Sequence, residues 1–98
     1  MWKVNIKPQT ELELKRSLKN GEFSSDDIKL LLIWIKFIEV FGPYELEKDF
    51  KWDDHSLWGK WSGYRSSCFS GAGRIIYKIL DDEIIVMVVR VTNKHDYK

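Results

Sequence analysis

A chain of 98 residues with 44% hydrophobic and 14% aromatic side chains holds enough apolar surface for one core and leaves little room for a second core or a long linker, so a single self-folding domain is expected. Sixteen Lys and Arg against 15 Asp and Glu leave a net charge of +1, so composition alone does not select a nucleic-acid binder. The single cysteine, Cys68, excludes an intrachain disulfide, and with no Cys/His spacing of the zinc kind it points to a reducing, cytoplasmic setting.

Trp2, Val4 and Ile6 alternate with Lys3, Asn5 and Lys7 up to Pro8, the pattern of a strand with one buried face. The same alternation, with no continuous apolar stretch, predicts neither a signal peptide nor a transit peptide. Thr10 and Glu13 have the spacing of a capping box, and the leucine-spaced stretch from there to Lys19 stops at Asn20-Gly21, which predicts a first helix. Ser24 and Ser25 before Asp26-Asp27 open a second helix that runs to Phe41 and stops at Gly42-Pro43. This helix carries two apolar stripes, Ile28-Leu31-Ile35-Ile38 and Leu30-Trp34-Phe37-Phe41. One stripe is expected on the sheet. The other either packs on the first helix and the loop that follows, or forms an exposed groove for a partner helix or a dimer contact. The apolar run Leu30 to Ile35 is far too short to span a membrane, so a soluble protein is expected.

Tyr44 to Trp58 reads as an irregular polar and aromatic loop. Strands are predicted over 60–69, 74–80 and 84–92, joined by turns at Ser70-Gly71-Ala72-Gly73 and Asp81-Asp82-Glu83. The order β-α-α-β-β-β predicts one α+β domain over residues 1–98, a four-stranded, mainly antiparallel sheet with two helices packed on one face. Within the strand 74–80 the pleat puts Ile75, Tyr77 and Ile79 on one side and Arg74, Ile76 and Lys78 on the other, so two cations project from the face away from the helices. Residues 1–49 carry eight basic and nine acidic side chains and residues 50–98 carry eight and six, a small basic excess on the same half.

Three segments bear on function: Asp54-His55-Ser56-Leu57-Trp58-Gly59-Lys60-Trp61-Ser62-Gly63-Tyr64-Arg65, then Gly73-Arg74-Ile75-Ile76-Tyr77-Lys78-Ile79, then Val89-Arg90-Val91-Thr92-Asn93-Lys94-His95-Asp96-Tyr97. In order and spacing they resemble the RelE/ParE toxin superfamily of type II toxin-antitoxin systems, with its His-x-Leu-x-Gly segment leading to Gly-Tyr-Arg, its Arg-hydrophobic-hydrophobic-Tyr strand, its acidic turn, and its basic or histidine-containing tail. The resemblance covers nearly half the chain. It implies a RelE-like fold and a cytoplasmic bacterial or phage toxin acting as an mRNA interferase. Such an enzyme is a metal-independent endoribonuclease without a cofactor that cuts mRNA on the ribosome and is neutralised by a cognate antitoxin. Assembly as a homodimer or a toxin-antitoxin heterotetramer would fit the same family.

In such nucleases the ribose 2′-hydroxyl attacks the adjacent phosphate, so the protein positions RNA, removes a proton, stabilises charge and protonates the leaving oxygen. Arg74 matches the arginine that RelE-like nucleases set against the scissile phosphate, and a guanidinium offers that phosphate fixed, charge-assisted donors. Lys94 or His95 matches the basic C-terminal catalytic position, and His55 matches the histidine of the Asp-His-x-Leu segment used by the YafQ-like branch. Tyr97 stands where relatives carry a terminal aromatic. Lys60, Arg65 and Lys78 are expected along the RNA backbone, and Trp58 and Trp61 either pack in the core or loop or offer rings on which bases stack. The chain departs from the YafQ-like pattern between Tyr64 and Gly73, where a further His and Asp are replaced by Ser67, Cys68, Phe69 and turn residues. Two other readings stay open: a ParE-like inhibitor of DNA gyrase, and a non-catalytic family member that keeps only antitoxin binding. His55 and His95 favour the nuclease.

Overall fold

The computed structural model describes residues 1–71 and 73–93. The first strand, β1, spans Lys3–Ile6, and Pro8 then opens helix α1, Pro8–Lys19. A proline at the first helical position lacks only an N–H that the helix would leave unpaired, and its fixed φ suits the turn. Thr10 therefore lies inside the helix rather than at its cap, and no side chain caps Lys7. Helix α2, Ser25–Phe41, starts as expected: the Ser24 hydroxyl accepts from Asp27 N at 3.1 Å and the Asp27 carboxylate accepts from Ser24 N at 2.8 Å. That backbone donor holds the Asp27 carboxyl below its ordinary range. The helix stops at Gly42, whose φ of 85° is open to glycine at little cost and whose Cβ would lie 2.9 Å from the Trp2 indole nitrogen.

The two stripes predicted for α2 do not divide as expected. Leu31, Trp34 and Ile38 are buried, a seam drawn from both stripes, while Leu30 and Phe41 of the second stripe are exposed. The supposed irregular loop contains 3₁₀ turns at Pro43–Lys48 and Phe50–Trp52 and a two-residue strand, β2, at His55–Ser56. The strand expected over 60–69 is shorter. Gly59 and Gly63 take positive φ around a 3₁₀ turn at Gly59–Trp61, and β3 begins only at Arg65 and ends at Cys68. Strand β4, Arg74–Leu80, matches its predicted bounds, and β5 spans Ile85–Thr92 after Ile84 in a left-handed turn.

The sheet has five strands, not four, in the order β1-β5-β4-β3-β2, with β1 parallel to β5 and the other pairs antiparallel. The α+β class and the two helices on the sheet are as expected. Leu31, Trp34 and Ile38 of α2 cluster with Ile75 and Tyr77 of β4 and Val86, Val88 and Val91 of β5. The β4–β5 register shifts between Ile76 and Tyr77: Ile76 opposes Arg90 while Tyr77 opposes Val88, so Val89 is an extra residue in β5. The Thr10 hydroxyl donates to the Val89 carbonyl at 2.7 Å, a partner from α1 for a backbone group at the interrupted ladder. Among the described residues no helix is long and apolar enough to cross a membrane.

Candidate catalytic face

Residues directly opposite one another in an antiparallel pair project from the same face, so the register locates every side chain of interest. Ile75 and Tyr77 are in the core beneath α2, which puts Arg74, Ile76 and Lys78 on the face away from it. His55 pairs with Ser66, Ser66 with Ile76, and Ile76 with Arg90, so these four make one row across β2, β3, β4 and β5 on that outer face. The next row is Cys68, Arg74 and Thr92. Strand and residue spacings put the Cα atoms of His55 and Arg74 about 12 Å apart.

The far side of β2 and β3 holds a buried polar cluster that fixes this edge. The Asp54 carboxylate, fully buried, accepts from Arg65 at 2.9 and 2.6 Å and from the Tyr77 hydroxyl. Burial raises the Asp54 carboxyl above its ordinary range, against the opposing effects of Tyr77 and Arg65. Burial and the Asp54 charge likewise push the Tyr77 hydroxyl up, so it stays a donor. Ser67 accepts from the Trp34 indole at 2.9 Å, tying β3 to α2. The His55 ring follows directly from this anchored segment, and its Nδ1 lies 2.7 Å from the Asp53 carbonyl oxygen.

Of the residues singled out in the sequence, the fold brings His55, Arg74 and Lys78 to one face. Arg74 is partly buried, its guanidinium donating to the Gly73 carbonyl at 3.0 Å. Lys78 is exposed, its ammonium 5.6 Å from the centre of the Tyr64 ring, which in turn meets Trp61 edge-on at 5.5 Å. Lys60 is exposed at the β2–β3 hairpin tip next to Trp58, which is 85% exposed. Arg65 does not join them. It lies on the core side, 20% exposed, with its guanidinium on Asp54, on Ser56 at 2.8 Å and on Glu47 at 2.7 Å, so its charge is already neutralised. Lys94, His95 and Tyr97 lie outside the described residues.

Two residues of this face were not singled out as site residues from the sequence. Strict alternation from Val86 and Val88 puts Arg90 in the core; the extra residue at Val89 turns it outward, opposite Ile76 and in the row of His55. Cys68 shares a row with Arg74, and burial raises its thiol above the ordinary value while the Arg74 charge opposes the shift. Neither position carries a local sequence signal, because both depend on register. Among the described residues, no group of three or more His, Cys, Asp or Glu side chains is placed to hold a metal ion.

No protein-family model and no curated protein matches the sequence. Solved structures do match it. A metal-bound toxin from Helicobacter pylori is similar at a TM-score of 0.74 and 24% identity, over 97% of this chain and 96% of that one. YafQ from E. coli strain BL21(DE3) is similar at 0.67 and 20% identity, over 94% and 92% of the two chains. The E. coli DinJ-YafQ toxin-antitoxin complex contains a chain similar at 0.62 and 22% identity, over 93% and 90%. The architecture is thus the RelE-like toxin fold that the sequence motifs implied.

Proposed function

We propose that the chain is the toxin of a type II toxin-antitoxin pair and acts as an mRNA interferase, an endoribonuclease that works on mRNA at the ribosome. The observation that carries this reading is the register that sets His55 of β2 and Arg74 of β4 in neighbouring rows of one face of the sheet. The motifs around both residues and the shared fold of YafQ support it. Arg74 binds the scissile phosphate and stabilises the charge that grows on its oxygens. His55 takes the proton of the attacking 2′-hydroxyl, and the C-terminal Lys94 or His95 protonates the departing 5′-oxygen, leaving a cyclic phosphate and a free 5′-hydroxyl. Tyr97 stacks beside the substrate. Lys78, about 13 Å along β4 from Arg74, and Lys60 hold flanking phosphates.

A cognate antitoxin is the partner this reading requires, as DinJ is for YafQ in their complex. An apolar groove of about 460 Å³ between α1 and α2, lined by Leu14, Leu18, Ile28, Leu32 and Ile35, offers an amphipathic antitoxin segment a seat. Primer extension on mRNA from a translation extract given the purified protein tests the enzymatic reading. Cleavage within codons is expected, reduced about 100-fold or more in Arg74→Ala and retained in Lys29→Ala, a surface control on α2. Intact mRNA together with blocked gyrase supercoiling would replace this reading with the gyrase-inhibitor one.

A further inference from the structure

Asp53 is one of two non-glycine residues with positive φ among those described, at φ 44° and ψ 43°. The left-handed region costs most residues about 1 kcal/mol or more and is visited by Asp and Asn more readily than by others. The residues on either side are pinned. Trp52 is buried against Phe37 of α2, its ring centre 5.4 Å away, and the Asp54 carboxylate is held by Arg65 and Tyr77. Between these anchors the chain has to reverse from the 3₁₀ turn Phe50–Trp52 into β2, and the left-handed step at Asp53 makes that reversal. Its carbonyl oxygen then lies 2.7 Å from His55 Nδ1.

A carbonyl oxygen only accepts hydrogen bonds, so the ring nitrogen facing it carries hydrogen in the neutral and in the charged imidazole alike. Nε2 is then the nitrogen that gains and loses a proton. We infer that Asp53 is a positioning residue: its backbone conformation locks His55 in the Nδ1–H tautomer and assigns the proton-transfer role to Nε2. This rests on the proposed role of His55, but the lock itself is a property of the ring that is read without any RNA. A general base needs an unprotonated nitrogen held in one orientation, and a hydrogen bond from the other ring nitrogen to a fixed acceptor is the usual way to hold it. Because the acceptor is main chain, the Asp53 side chain matters only through the backbone conformation it tolerates. Its carboxylate sits 3.9 Å from the Cys68 thiol and is not needed for the lock.

The test is the ¹⁵N spectrum of the His55 ring in the full chain at a pH where the imidazole is neutral, with His95→Gln removing the second histidine signal, while RNA cleavage is read separately in chains that keep His95. The wild-type ring is expected to show a pyrrole-type nitrogen at Nδ1 and a pyridine-type nitrogen at Nε2. Asp53→Gly and Asp53→Asn, which both accept the left-handed conformation, are expected to keep that pattern. Asp53→Val, which does not, is expected to lose it and to cut RNA at least tenfold more slowly. A wild-type ring in the Nε2–H form, or in a tautomer mixture, overturns the inference even if Asp53→Val fails to fold. A pattern unchanged in a folded Asp53→Val overturns it as well. An Nδ1–H ring in a protein that cleaves no RNA upholds the lock and removes the enzymatic reading instead.

Discussion

At the scale of single residues, Asp54 governs the edge on which the candidate site stands. Its carboxylate is fully buried and receives three hydrogen bonds from Arg65 and Tyr77, so breaking the pair by removing Arg65 would leave a charge in the interior at a cost of about 3 kcal/mol. An exposed pair such as Lys29 with Asp26, 3.7 Å apart, contributes about 0.5 kcal/mol or less. Burial nevertheless raises the Asp54 carboxyl above its ordinary value of 3.8, which means the folded state holds that proton more tightly than the unfolded chain does. The associated stability is fully present below the unfolded value and is lost as pH rises through the folded one. Urea midpoints measured from pH 3 upward are therefore expected to fall for the wild type relative to Asp54→Asn across that window and to run parallel above it. A constant offset between the two at every pH would show that the Asp54 proton is bound no more tightly in the fold than out of it.

At the scale of elements, the bulge in β5 does what no local pattern announces. It converts Arg90 from a core position into a neighbour of Ile76 on the outer face and lets Val91 return to the core, and Thr10 of α1 closes the interrupted ladder from a sequence distance of 79 residues. Thr10→Val keeps the shape and removes the donor, leaving the Val89 carbonyl without it; a loss of about 1–2 kcal/mol in unfolding free energy is expected, measured by urea titration. A loss under a few tenths would show that the hydroxyl contributes nothing to the bulge. Strand β4 was legible because Gly73 and the acidic turn bracket an alternating run, and α2 because Ser24, Asp27 and Gly42 mark its ends. Strand β2 was not, since its two residues, His55 and Ser56, become a strand only by pairing with Ser66 and Arg65 across the hairpin. The same limit applied to the site. Arg74, Lys78 and His55 were visible as residue types in a motif, whereas Arg90, the neutralisation of Arg65 and the tautomer-setting carbonyl of Asp53 depend on contacts that exist only once the sheet has formed.

At the scale of the whole molecule, a net charge of +1 constrains how the RNA substrate of the proposed reaction would be held. A strongly basic protein attracts a polyanion from every direction, but here any attraction has to come from the local cations of the outer face, with the acidic turn Asp81–Glu83 at one end of β4 working against it. If Arg74, Lys78 and Lys60 are the phosphate contacts, about three counterions are released from a single strand, and the logarithm of the binding constant is expected to fall against the logarithm of salt with a slope of about −2. Anisotropy titrations on an RNA carrying a 2′-deoxy nucleotide at the cut site, which binds but cannot react, give this slope directly. Lys78→Ala is expected to make it shallower by about 0.7, the share of one phosphate on a single strand. Lys29→Ala, on the helical side of the sheet, is expected to leave it unchanged. A slope near zero would mean that stacking on Trp58, Trp61 or Tyr64 holds the RNA rather than charge, and a slope much steeper than −3 would require cations beyond these three, with Arg90 in the His55 row the first to test.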